Sequence, residues 1–350
     1  MTVQSRRPVM HDVAALAGVS HQTVSRVLNH HPNVSAKTRE RVINAMRQLD
    51  YRPNSFARGL VTRRSHRIGV LSFDSRLFGP GSTLRAIERA ARAKGFGVAV
   101  AGMSDHAGGD VDEAMEALYA QAVDGIIVIA PNEAAVRALG VLPKSVPVVA
   151  LEAEYRTDQP VVSVDQLEGG RLATRHLLDL GHQTVWHVAG PSDWREAQLR
   201  VDGWRAALEE ASARTPRALR GDWSPRSGYR AGAELARRRE VTAVFAANDQ
   251  MALGVIHALV ERDVRVPEDV SVVGFDDIPE AEYFLPRLTT VRQDFDEVGR
   301  RGLDLLLHIL GDLAEDHRER VMIAPTLVVR HSSGPARTGA RRPVSPHVAS

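Results

Sequence analysis

The chain has 350 residues, enough for two or three domains at roughly 100–200 residues each. Its composition, 43% hydrophobic and 25% charged with no cysteine, excludes a mostly disordered or fibrous protein, disulfides, thiolate metal sites and a cysteine nucleophile. The net charge of +2 conceals an uneven distribution: residues 1–66 carry 11 Arg and Lys against 3 Asp and Glu, residues 67–329 carry 30 against 40, and residues 330–350 carry 4 against none. A basic block on an acidic body is the pattern of a nucleic-acid-binding head on a non-binding core. No stretch approaches the roughly 18–20 uncharged apolar residues of a membrane span. The N-terminal basic residues have no apolar run behind them, so a cytoplasmic chain without a secretory signal or membrane association is expected.

Met10 to Ala17 places apolar residues at Met10, Val13, Ala14 and Ala17, the stripe of an amphipathic helix. Gly18 stops it, and Ser20 caps a second helix from His21 to about Leu28. A third helix begins after Ser35 and buries Val42, Ala45, Met46 and Leu49. Two short helices joined by Gly-Val-Ser form a helix-turn-helix candidate, since the tight turn needs a residue tolerant of unusual backbone angles. His21, Gln22, Ser25 and Arg26 share one face of the second helix. Arg can bind guanine bidentately and Gln adenine, each worth about 1–3 kcal/mol of discrimination. Asn29, Ser35 and Thr38 stand at helix ends, where hydroxyl, amide and backbone N–H groups suit phosphates. Without DNA in view the same residues are caps and a solvated face, and capping is the stronger reading for Ser35. The His30-His31 pair has no third ligand nearby and reads as a loop, not a metal site.

Residues 54–66 form a linker in which Asn54 can cap a short helix carrying Phe56, Ala57 and Leu60. Gly59 opposes that helix by roughly 1 kcal/mol, so it is marginal alone. From residue 67 the pattern changes to short β-rich runs alternating with helical segments. Expected strands are 67–73, 97–103, 124–130, 147–151, 161–164, 184–190, 242–247, 270–275 and 289–292, with helices over segments such as 84–94, 112–121, 169–180 and 250–262. Near-continuous apolar strands separated by helices mean parallel sheets covered on both faces. The predicted fold is therefore an α-helical helix-turn-helix head plus an α/β core of two doubly wound lobes with a cleft between them. The segment 332–350 lacks any apolar period and is expected to be disordered. No Gly-x-Ser-x-Gly elbow, P-loop or His-Glu-x-x-His is present, so neither an enzyme nor a cofactor is expected.

The run Asp12-Val-Ala-Ala-Leu-Ala-Gly-Val-Ser-His-Gln-Thr-Val-Ser-Arg-Val-Leu-Asn29 resembles the lactose-repressor (LacI/GalR-type) family. So do Val34-Ser-Ala-Lys-Thr-Arg-Glu-Arg-Val42, Tyr51-Arg-Pro-Asn-Ser-Phe-Ala-Arg-Gly-Leu60 and Leu180-Gly-His182. The likeness continues through Asn248-Asp-Gln-Met-Ala-Leu-Gly254, Val272-Val-Gly-Phe-Asp-Asp277 and Leu288-Thr-Thr-Val-Arg-Gln-Asp294. It covers about residues 8–331 in the family's order and spacing. The resemblance implies a DNA-binding head at 8–53, a hinge at 54–66 and a periplasmic-binding-protein-like effector and dimerisation core at 67–331, whose two lobes take about residues 67–164 with 295–322 and residues 165–292 with 323–331. It makes His21, Gln22 and Arg26 base-reading positions, and Thr23, Ser25, Asn29, Ser35, Thr38, Asn54 and Ala57 further DNA-contact positions. Leu60 would wedge into the minor groove. Val9 departs from the family, which has Thr or Ser at this first-helix cap, so a cap worth about 1 kcal/mol is missing. In the core the resemblance implies effector residues Arg200, Trp223, Asn248 and Asp276, joined from the other lobe by Leu77, Pro80, Glu152 and Phe295. A carboxylate, an amide and a guanidinium can bind several hydroxyls while an indole covers the apolar face of a sugar. With Arg200 as the single cation, a phosphorylated effector is disfavoured. The expectation is a transcriptional repressor that binds a palindromic double-stranded operator as a homodimer and is released by a neutral sugar or glycoside. The alternative is an intracellular sugar-binding protein that does not touch DNA.

Overall fold

A computed structural model describes residues 8–28, 31–51, 64–73, 76–103, 110–130, 132, 135–136, 139–140, 142, 146–153, 158–312 and 318–337. The expected DNA contacts Asn29, Asn54, Ala57 and Leu60 lie outside these residues. The chain divides into two compact units, Met1–Ser65 and His66–Ser350.

Among its described residues the first unit has three helices, α1 (Met10–Ala17), α2 (His21–Leu28) and α3 (Ala36–Gln48), around Val13, Val24 and Val42, each fully buried. Val9 caps α1 without a side-chain acceptor, but the Asp12 carboxylate accepts the Val9 N–H at 2.8 Å and sits in the first turn, where the helix dipole favours it. Half of a capping box thus survives the loss of the hydroxyl. Gly18 ends α1 in the left-handed region at φ 59°, and the Arg41 guanidinium donates to the Ala17 and Gly18 carbonyls. Those are carbonyls the helix end would otherwise leave unpaired. The turn is thereby tied to α3.

The second unit holds two six-stranded sheets. The first-lobe elements are β1 (Arg67–Phe73), α4 (Phe78–Ala93), β2 (Gly97–Met103), α5 (Asp110–Ala120), β3 (Gly125–Ile129), β4 (Val148–Leu151) and β5 (Val161–Val164). The second lobe contributes α6 (Gln166–Asp179), β6 (Trp186–Ala189), α7 (Arg195–Glu210), β7 (Leu219–Arg220), α8 (Pro225–Ala236), β8 (Ala243–Ala246), α9 (Asp249–Val260), β9 (Ser271–Asp276) and β10 (Thr289–Arg292). The chain then returns through α10 (Phe295–Gly311) and β11 (Arg320–Ile323) to the first sheet and ends the second with β12 (Thr326–Val328). Strand order is β11-β5-β4-β3-β1-β2 in the first sheet and β12-β10-β9-β8-β6-β7 in the second, parallel throughout except for β12. Fully buried runs such as Gly-Ile-Ile-Val-Ile in β3 follow from helices covering both faces of each sheet.

Each of the nine expected strands has a counterpart, while β7, β11 and β12 were not foreseen, being short and partly exposed. Helix α4 starts at Phe78, six residues earlier than its apolar period suggests. Gly79, Pro80 and Gly81 look like a loop, yet they occupy a first turn, where a missing N–H costs nothing.

The expected disorder of 332–350 is corrected for residues 332–337, which dock on the second lobe. Ser332 is fully buried: its N–H-accepting carbonyl pairs with Val272 N at 2.7 Å, and its hydroxyl donates to Val272 O and accepts from Thr289 N. The Ser271 hydroxyl and the Gly334 backbone are within hydrogen-bond reach, and the Ala336 N–H donates to Leu180 O. Arg337 pairs with Asp269 at 2.6 Å. These bonds are polar and come from the backbone and small hydroxyls, so no apolar period announces them.

Candidate functional site

In the head, the His21, Gln22 and Arg26 side chains are exposed on α2, whose opposite face buries Val24 and Val27. The helix is thus anchored by one face and free to present the other. Ser20 starts it, its hydroxyl accepting the Thr23 N–H at 3.2 Å and bonding the Thr23 hydroxyl at 2.9 Å. Ser35 repeats this pattern at α3, where its hydroxyl accepts the Thr38 N–H and donates to the Thr38 hydroxyl. Ser35 and Thr38 therefore fix a helix N-terminus, whose first N–H groups and dipole suit a phosphate. Among the described residues, no group of three or more His, Cys, Asp or Glu is placed to hold a metal ion.

The core has a cavity of about 260 Å³ between the lobes. Of the eight expected effector residues, it brings together six: Leu77 and Pro80 from the first lobe, and Arg200, Trp223, Asn248 and Asp276 from the second. Glu152 and Phe295 do not line it. Glu152 follows β4 in a left-handed conformation, is 4% exposed and accepts from Val164 N at 3.4 Å within its own lobe. Phe295 packs edge-on against Phe78 at 5.8 Å, behind the cleft wall. Lining residues the sequence did not single out include Arg76, Phe78, Trp194, Glu196, Asp222 and Gln293. Arg76 adds a second cation, correcting the expectation that Arg200 stands alone. Three carboxylates line the same space.

Arg200 is the hub. Helices α6 and α7 touch backbone to backbone, since a Cβ on Gly170 would lie 2.4 Å from the Arg200 carbonyl and one on Gly203 2.0 Å from the Leu167 carbonyl. That close approach lets the 2% exposed Arg200 donate to Gln166 Oε1 at 2.8 Å and to the Ala247 carbonyl. The Nη1 that donates to Ala247 also lies 3.8 Å from Asp276, and Nη2 lies 3.6 Å from Glu196. The guanidinium lies 3.9 Å from the Phe275 ring centre and 5.5 Å from that of Trp223. A planar, weakly hydrated cation is suited to such burial.

Asp276 ends β9 at φ 107°, and Asp277 follows at 54°. Non-glycine residues avoid this region, so the strain is held by partners. Asp277 turns away from the cleft and binds Arg292 at 2.6 Å and Arg330 at 2.7 Å. Asp276 turns toward it and accepts from Gln293 Nε2 at 2.7 Å. Burial pushes the Asp276 carboxyl up to about 6, while Arg200 and the Gln293 hydrogen bond pull the other way. Beside it, burial and then the Asp276 charge push the fully buried Asp249 well above the ordinary range. Asp249 accepts from the Thr290 hydroxyl and Ile278 N, fixing β10 and the turn after β9.

Asn248 spends its amide on positioning. It caps α9 by accepting from Met251 N, and its Nδ2 donates to the Trp223 carbonyl at 3.1 Å and to Gln250. Trp223 is held at φ 68° with its ring edge-on to Trp194 at 5.6 Å, and among the described residues its buried indole N–H has no acceptor. From the first lobe Leu77 and Phe78 pack against this second-lobe cluster, and Asn132 forms an isolated bridge with Trp194. The arrangement offers hydrogen-bond groups of both signs beside aromatic surface in a space fit for a small polar molecule.

Residues 9–54 match the lacI family of bacterial regulatory proteins, and residues 174–333 the periplasmic binding protein-like domain. The lactose operon repressor of Escherichia coli (strain K12) is 38% identical over 307 residues, covering 87% of this chain and 85% of that one. The ribose operon repressor of the same organism is 33% identical over 332 residues, 93% of this chain and 99% of that one. The crystal structure of the lac repressor dimer bound to operator and the anti-inducer ONPF superposes with a TM-score of 0.81 at 35% identity, over 94% of this chain and 100% of that chain. Likeness of this extent, spanning the helical head and both lobes, shows that the chain belongs to the lacI family of bacterial regulatory proteins.

Proposed function

We propose that the protein is a cytoplasmic transcriptional repressor of sugar-utilisation genes. It binds a palindromic operator as a homodimer and is released when a neutral sugar or glycoside occupies the cleft. The observation that carries this reading is the convergence of Arg200, Asp276 and Trp223 on one cavity between the lobes. Carboxylate and guanidinium bind vicinal hydroxyls, and the indole face covers the C–H surface of a pyranose. Three carboxylates against two arginines in the lining disfavour a phosphorylated effector there. In the head, Gln22 and Arg26 read base edges while the caps at Ser20 and Ser35 place helix N-termini for phosphates. Two-fold DNA requires a two-fold protein. Tyr283 and Leu285, 81% and 89% exposed on the second lobe, supply apolar surface for pairing. The relatives are repressors, and no catalytic role is assigned to any residue here.

The test is a gel shift with the DNA upstream of the gene, repeated with a panel of neutral mono- and disaccharides. A sequence-dependent shift reversed by one of them supports the reading. A protein that binds a sugar but gives no sequence-dependent shift is instead a sugar-binding protein without a DNA function.

A further inference from the structure

The second lobe carries a groove of about 1140 Å³ that the effector cleft does not use. Six arginines line it, Arg195, Arg205, Arg214, Arg217, Arg220 and Arg238, against two carboxylates, Asp202 and Glu234. Both carboxylates are already matched: Asp202 lies 3.6 Å from Arg205, and Glu234 lies 2.8 Å from Arg238. Arg195 donates to Gln198. Among the described residues, the Arg217 and Arg220 side chains have no acceptor, and Arg214 meets only the Trp186 ring, 5.5 Å from its guanidinium. Arg238 flanks the same ring at 5.0 Å. Trp186 lines the groove at 5% exposure, and among the described residues its indole N–H finds no acceptor.

Acidic residues outnumber basic ones across 67–329, yet here the sign is locally reversed. Guanidiniums that line one groove without matching counter-ions repel one another, and an anion seated among them removes that repulsion. We propose that this groove binds a small polyphosphorylated anion. Phosphate oxygens match the fork of Arg bidentately, and Arg214, Arg217 and Arg220 offer several such forks to successive phosphates. The concave shape fits a small molecule, whereas duplex DNA presents its phosphates on a convex rod. The groove would thus report a second chemical signal, separate from the cleft.

The test is titration calorimetry with inorganic tripolyphosphate and with ATP at about 150 mM salt, where diffuse surface attraction is screened beyond about 8 Å. The full chain is compared with the Arg217→Gln/Arg220→Gln variant, both sites being exposed and unpaired, and circular dichroism checks that it folds. Saturable binding, weakened at least about tenfold in the variant, is expected. Equal affinities for the two probes mean that phosphates alone are read; tighter ATP binding means that the nucleoside adds contacts. Absence of saturation at millimolar probe, or binding unchanged in the variant, overturns the proposal. So does binding of nonspecific duplex DNA through the same arginines with no response to either probe.

Discussion

At pH 8 the Asp276→Asn variant is expected to unfold at a higher denaturant concentration than the parent protein, although it loses its response to sugar. Folding moves this carboxyl from 3.8 to about 6, chiefly through burial. The folded protein therefore binds the proton more tightly than the unfolded chain does, and stability falls as pH rises through that window. Below about pH 4 the carboxylate costs nothing; above about pH 7 it costs the full difference, about 3 kcal/mol at 1.36 kcal/mol per pH unit. An asparagine Oδ1 can still accept from Gln293, and Arg200 keeps Gln166, Ala247 and Glu196. Loss of the Arg200 pairing is already contained in the net shift, so a gain of about 1–3 kcal/mol is expected at pH 8. Urea unfolding of both proteins at pH 8 and pH 5 measures it, the gap shrinking at the lower pH. Calorimetry with the effector sugar should show a loss of about 2–4 kcal/mol in binding. A variant less stable than the parent at pH 8, or a gap independent of pH, would refute the reasoning: the ion pair would then outweigh burial.

Three further outcomes are expected. Gly190→Ala would place a Cβ 2.2 Å from the Trp223 ring, so the indole must move; sugar affinity should fall at least about tenfold by calorimetry, with operator affinity in a gel shift unchanged. Ending the chain at His331 should destabilise the core by several kcal/mol in urea, at about 1 kcal/mol for each lost hydrogen bond at Val272, Thr289 and Ser271, whereas ending it at Arg337 should keep those bonds. Gln22→Ala should relax discrimination at one base pair per half-site by about 1–3 kcal/mol in competition gel shifts, with little change in thermal stability because its side chain is exposed.

Much of the architecture was open to local reasoning. Helices α1 to α3 follow from apolar periodicity plus Gly18, Ser20 and Ser35, and β1, β3 and β8 from unbroken β-branched and apolar runs. These signals act over a few residues, and burial demands them wherever the element ends up. Asp276 stood out as a carboxylate at a strand end. Its neighbour Asp277 carries the same chemistry at the next position, and only Arg292 and Arg330, far along the chain, separate their roles.

The remainder depends on distance in sequence. Trp194, Glu196 and Gln293 reach the cleft because α7 and the β10–α10 junction meet there, and nothing in their own neighbourhoods says so. Glu152 carries the right side chain but faces its own lobe, and Phe295 lies one layer behind the wall. The docked segment 332–337 has no hydrophobic pattern, since it is held by polar bonds to partners up to 157 residues away. The amino-acid sequence by itself determined the elements, the basic head and the family, because propensity, periodicity and charge are properties of neighbouring residues. Tertiary structure decided which side chains share the cleft, which are consumed as caps and supports, and how far Asp276 is desolvated, because hydrogen bonding and burial depend on groups brought together across the fold.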